Sequence, residues 1–164
     1  MDVSVVTLAV DWRARREVQW RLESLSKTAD TRTGVGLTAL LRGVSEALRK
    51  AEMSWLYAGA ADYNGKLSPA EAEAAFRNAT TDAASRYKNE VIRNMRGAMT
   101  EAPAPEMKAR PEEGGGVVVV TVAVSARREL PDVRNSRDAF CLRSALEAFA
   151  RLSPDDIASM EVIW

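Results

Sequence analysis

Val117-Val118-Val119-Val120-Thr121-Val122-Ala123-Val124 decides the fold class of this chain. Its even positions are all valine, while Thr121 and Ala123 soften the other row. A two-residue period of β-branched side chains is what a pleated strand buries, and both rows are apolar enough for a strand covered on its two faces. Val3 to Val10 repeats the pattern, with Val6, Leu8 and Val10 facing one way and Val3, Val5 and Ala9 the other. The likeness continues beyond the strands, since Ala14-Arg15-Arg16-Glu17 resembles Ala126-Arg127-Arg128-Glu129. The two intervals differ by two residues, and valine-rich strands match easily by chance. The pair is therefore read as neighbouring strands at a sheet centre rather than as a duplication.

Helical periods fill the space between them. Ala14, Val18, Leu22 and Leu25 form one stripe, and Leu37, Leu40, Leu41, Val44 and Leu48 form the cleanest one, with Arg42, Glu46 and Arg49 off it. Ser54 to Ala58 reads as a short strand or an extended connection, and Asn64-Gly65 as a turn. Ser68-Pro69-Ala70-Glu71 is a helix start: a capping serine, a proline at the first helical position and a glutamate closing the box. The helix it opens buries Ala72, Ala75, Phe76 and Ala79. Thr80 or Thr81 is read as the cap of a further helix that turns Ala84, Tyr87, Val91 and Met95 inward and ends near Gly97. Prolines and the Gly114-Gly115-Gly116 triplet interrupt any period from Ala98 to Gly116, which predicts a mobile loop over 98–116. A helix from about Ser136 to Arg151 and a strand from Ser159 to Trp164 finish the chain. The expected fold is α+β: one domain over 1–164 with a mixed sheet of about four strands and helices mainly on one face. The element order is β-α-α-β-α-α-β-α-β.

Composition narrows function mainly by exclusion. The 164 residues are 46% hydrophobic and 28% charged, as in globular domains, and acidic and basic residues balance at 23 each. Nucleic-acid partners are not expected, because phosphate neutralisation calls for a basic excess. Histidine is absent and there is one cysteine. That excludes serine–histidine and cysteine–histidine nucleophile pairs, histidine-based zinc sites and an intrachain disulfide. No cofactor or metal is expected, and a cytoplasm-like reducing compartment fits the cysteine usage. No apolar run approaches the ~20 residues of a membrane helix, and the first residues lack a signal-peptide pattern. Both ends fall close to apolar strand patterns, which is compatible with a trimmed chain, and the absence of targeting segments says little about its parent.

Candidate sites are few. Gly34-Val35-Gly36 lies at a helix entry, where anions are favoured, but it lacks the preceding strand and third glycine of a dinucleotide fingerprint. A helix entry capped by Asp30 or Thr33 explains it better. Asp155-Asp156 and Glu112-Glu113 are adjacent rather than paired carboxylates, and Cys141 reads as a small buried hydrophobe. Trp20 is harder to dismiss, because on a regular helix it lies about 160–200° from Val18 and Leu22. It either packs in a second core layer, the reading a sandwiched helix favours, or forms an exposed interaction surface with Arg13 and Arg16. A ligand pocket near Asp30, Thr31, Thr33, Trp55 and Tyr57 is the alternative, with the helix entry holding an anion.

Taken in order, these segments resemble the family known as domain of unknown function number 1517. The resemblance runs through Thr28-Ala29-Asp30-Thr31, Gly36-Leu37, Leu40-Leu41 and Ala47-Leu48-Arg49. It continues in Ala72-Glu73 with Phe76, Glu90 with Asn94, Val117 to Val124, Leu130-Pro131 and Met160-Glu161-Val162-Ile163-Trp164. It implies proteins of cyanobacteria and plant chloroplasts attached to membranes, often thylakoid. Some are linked to acclimation of photosynthesis, and no enzymatic activity is established. This chain departs from the family pattern in lacking a spanning segment and a glycine/serine-rich lead. Its preference for arginine over lysine fits a GC-rich bacterial source. The leading expectation is a non-catalytic protein-interaction or regulatory module with an unidentified protein partner, the soluble part of a membrane-associated protein. The alternative is a small anionic ligand-binding domain or a histidine-free enzyme.

Overall fold

The computed structural model describes residues 1–63, 66–86, 92–95, 98–101, 116–133 and 138–164. The two valine-rich segments become β1 (Asp2–Val10) and β5 (Val118–Ala126), which lie side by side at the centre of a four-stranded sheet. The outer strands are β2 (Trp55–Asp62) beside β1 and β6 (Ile157–Ile163) beside β5, giving the order β2-β1-β5-β6. Every pairing is antiparallel, where a mixed sheet was expected. Period and burial specify which faces are apolar, but strand direction depends on where each connection returns.

Three helices cover one face of the sheet: α1 (Trp12–Thr28), α2 (Gly34–Lys50) and α4 (Ala139–Ala150). Val6, Leu8 and Val10 of β1 and Val118, Val120, Val122 and Val124 of β5 meet Val18 and Leu22 of α1 there. Leu40, Leu41, Val44 and Leu48 of α2 and Leu142, Leu146 and Phe149 of α4 complete this core. Each such side chain contributes about 1.5–3 kcal/mol by leaving water. The opposite face is covered by α3 (Pro69–Arg86), whose Phe76 and Ala79 pack on Val5 and Ala123. The small side chain of Ala79 lets this helix lie close to the strands.

Local chemistry explains the helix starts. Asp11 caps α1 by accepting the Arg13 N–H at 3.1 Å, and Thr33 caps α2 by accepting the Gly36 N–H at 3.1 Å. Ser68 and Glu71 form the expected reciprocal box at the start of α3: the Ser68 N–H donates to Glu71 at 2.8 Å and the Glu71 N–H to Ser68 at 3.3 Å. A similar box, Ser153 with Asp156, shapes the turn before β6.

Two expectations fail in the middle of the chain. No helix begins at Thr80 or Thr81, since α3 runs through both, and the Thr80 hydroxyl donates back to the Arg77 carbonyl at 3.2 Å. Met95 lies on a strand, because β3 (Ile92–Met95) and β4 (Ala98–Glu101) form a separate antiparallel pair. The start of the 98–116 segment, expected to be a loop, is thus extended, and residues 102–115 lie outside the described residues, as do Tyr87, Val91, Asn64-Gly65 and Glu112-Glu113.

Two buried or half-buried aspartates fix the connection after β5. Asp2 accepts the Leu130 N–H at 2.7 Å and the Val3 N–H at 3.0 Å. Asp62, the cross-strand partner of Ser4, accepts the Val133 N–H at 3.2 Å. The loop that leads to α4 is therefore tied to the ends of β1 and β2 by carboxylates. Charge-assisted bonds of this kind are stronger than neutral ones.

Candidate functional site: the groove between α1 and α2

The helices α1 and α2 form an antiparallel hairpin whose spacing varies along its length. A side chain added at Gly43 would begin 2.7 Å from Leu25 Cδ2, so the helices are in close contact there. Toward the start of α1 and the end of α2 they diverge, leaving a groove of about 290 Å³. Its lining includes Ala14, Val18, Gly43, Ala47 and Ala51, with Trp20 at one side. Glu17, Arg21, Glu46 and Lys50 also line it, giving two acids and two bases. None of these four makes an ion pair among the described residues.

Trp20 is 63% exposed, so it does not pack in a second core layer. The sandwiched-helix reading fails because Trp20 lies on the side of α1 away from the sheet, where nothing among the described residues buries it. Arg16 is exposed and one helical turn before Trp20, hence its neighbour on the helix surface. Arg13 is engaged elsewhere: its Nε and a terminal nitrogen both donate to Asp11, at 3.0 and 2.7 Å. That pairing holds the Asp11 carboxyl below its ordinary range. The groove residues Arg21, Glu46 and Lys50 were not legible as site residues. They belong to two helices, and only the crossing of α1 on α2 brings them together.

The residues of the alternative pocket are split between the two ends of α2. Asp30, Thr31 and Thr33 lie before it and Trp55 and Tyr57 after it, so a 17-residue helix, about 25 Å long, separates them. Asp30 accepts both the Arg32 N–H at 3.2 Å and the Arg32 guanidinium at 2.9 Å, which lowers its pKa. Thr33 is the cap of α2 and Thr31 is buried beside a cavity of about 20 Å³, room for one water. Trp55 donates its indole N–H to the Leu48 carbonyl at 3.0 Å, while Tyr57 is 77% exposed on the outer strand. Cys141 stands in the first turn of α4, half-buried, with Asp138 at 3.8 Å, rather than within the core.

Gly34 and Gly36 have a packing explanation. A side chain at 36 would meet the Asp30 carbonyl at 1.9 Å, and one at 34 would meet the Pro154 carbonyl at 2.5 Å. Both glycines admit neighbouring backbone. Among the described residues no cluster of three or more histidine, cysteine or acidic side chains is placed to hold a metal.

An antiparallel sheet between one helix and three, with an open groove on its helical layer, defines an α+β domain. The chain belongs to the family described as "Protein of unknown function (DUF1517)", whose sequence profile matches residues 2–164. It is 27% identical over 157 residues to "Protein FLAP1 homolog A" of Synechocystis sp. (strain ATCC 27184 / PCC 6803 / Kazusa). That alignment covers 91% of this chain and 46% of the relative, so the chain spans about half the relative's length. No solved structure matches the chain significantly.

Proposed function

We propose that this domain is a non-catalytic interaction module, and that its partner docks in the α1–α2 groove over Trp20. The exposure of Trp20 beside a 290 Å³ groove carries the reading. A large, stiff aromatic ring in water gains about 1.5–3 kcal/mol when a partner covers it. Small side chains on the groove floor leave space for a partner's side chains. The charged residues on its walls are free to pair with charges of either sign. The chain's lack of histidine removes the commonest general base from any competing enzymatic reading.

The domain acts, in this proposal, as one part of a longer protein in a reducing compartment, tethered to a membrane by a segment outside these residues. The membrane attachment that the family resemblance implies motivates the tether, and the cyanobacterial relative is aligned over 46% of its own length. Among the described residues no helix is long and apolar enough to cross a membrane.

Affinity capture from native lysate with solubilised membranes tests the groove, with wild type beside Trp20→Glu and Arg13→Ala. Wild type and Arg13→Ala are expected to retain the same defined protein, and Trp20→Glu to lose it with unchanged circular dichroism. Equal retention by all three would remove the groove from the proposal.

A further inference from the structure

The outer edge of the sheet carries a second, independent surface. The strand β2 reads Trp55-Leu56-Tyr57-Ala58-Gly59-Ala60-Ala61-Asp62, with no charge before its last residue. Exposed edges are ordinarily protected by lysine, proline or a covering element, because unpaired backbone groups recruit other strands. Here Leu56 is 47% and Tyr57 77% exposed, and Ala58 and Ala61 are exposed too. The Tyr63 N–H donates to the Val3 carbonyl, so by alternation Ala61, Gly59 and Tyr57 bond to β1. Ala58 and Ala60 therefore turn their N–H and C=O groups outward. Among the described residues no strand takes them up.

Gly59 is the second observation. Glycine weakens a strand interior and commonly marks close approach of another chain. Nothing within this molecule requires it: its φ is not positive, and a side chain there would meet nothing within 4 Å. The order of sizes along β2 supplies a reason. Three large residues precede Ala58 and three small ones follow it.

We infer that β2 pairs antiparallel with β2 of a second copy of this chain, with Ala58 on the two-fold axis. That register places Tyr57 opposite Gly59 of the other copy and Leu56 opposite Ala60, and it ends there, because β2 carries a bulge at Leu56 that leaves Trp55 on the helical face, away from Ala61. Each large side chain meets a small one, and no like charges face each other. The Tyr57 ring covers the space that a side chain at Gly59 would fill, a packing known to restore strand stability at glycine. Two four-stranded sheets become one of eight, and the outward groups of Ala58 and Ala60 are satisfied. The inference rests on β2 and does not depend on a partner occupying the α1–α2 groove.

Sedimentation from about 1 µM to about 500 µM is expected to show a reversible monomer–dimer equilibrium for wild type. Ala58→Lys, which sets two ammonium groups face to face, is expected to stay monomeric with an unchanged melting temperature. Gly59→Val, harmless to the monomer by its open surroundings, is expected to weaken association at least about tenfold. Mild oxidation in a Cys141→Ser background gives a readout that does not rely on loss. Paired Cα atoms about 5.5 Å apart suit a disulfide, so Ala58→Cys should cross-link to itself. Ala61→Cys should not, its two copies lying about 20 Å apart. A wild type monomeric throughout, an Ala58→Lys protein that dimerises like wild type, or equal cross-linking at positions 58 and 61 would each overturn the proposal. The first of these would leave β2 to a strand from a different protein.

Discussion

The carbonyl of Asp30 occupies the space where a side chain at Gly36 would begin, 1.9 Å from an added Cβ. The connection between α1 and α2 folds back on the helix entry this tightly because Thr33 caps the Gly36 N–H from the same turn. A glycine pair that resembles a phosphate cradle is in this chain a point of backbone packing.

Gly36→Ala is therefore expected to lower stability by at least about 2 kcal/mol, since backbone cannot move aside as a side-chain tip can. Gly43→Ala should be milder, because its nearest neighbour is the end of the Leu25 side chain. Urea unfolding of both variants measures the difference, and equal midpoints would remove the distinction.

Asp2 accepts a backbone N–H from Leu130, 128 positions away, within a buried setting. Asp2→Ala leaves that donor without its acceptor and is expected to remove about 2 kcal/mol of stability. Asp2→Asn keeps an oxygen acceptor and should lose less. Hydrogen exchange at the Leu130 amide reads the effect directly: protection should fall in the alanine variant first.

The pH response follows from four hydrogen-bonded carboxylates. Hydrogen bonds from Arg13 lower the pKa of Asp11, those from Arg32 lower Asp30, those from Ser68 lower Glu71 and those from Ser153 lower Asp156. A folded pKa below the unfolded one gives stability that is present above the unfolded value and lost as pH falls through the folded value. The ordinary values are 3.8 for aspartate and 4.5 for glutamate. Without histidine no imidazole titrates near neutrality. The melting temperature should stay level from about pH 6 to about pH 8 and fall below about pH 4.5. A step near pH 6.5 in thermal melts would contradict this.

The central strands were legible because β1 and β5 are apolar in both rows, which places them away from the sheet edges. The stripe of α2 and the box of Ser68 with Glu71 were legible for equally local reasons. Thr80 and Thr81 misled because a threonine that caps a helix and one that bonds back within it have the same sequence signature. Val91 and Met95 are four apart, a helical spacing, yet Met95 belongs to a strand whose partner, rather than its period, determines it. Trp20 was singled out, but its exposure depends on whether a further layer covers α1. The groove residues needed the helix crossing, and the outward register of β2 needed its pairing with β1.

The sheet order has a consequence for how this chain is made. Thr7 and Thr121 share a hydrogen bond at 2.9 Å across 114 positions, because the first strand pairs with the second-last strand of the same sheet. During synthesis β1 and the α1–α2 hairpin leave the ribosome well before β5 exists to pair with them. Contacts this distant in sequence slow folding, and an unpaired apolar strand is open to wrong partners while it waits. The helical hairpin can form early from local contacts alone, so it would shield one row of β1 until translation delivers the valines of β5.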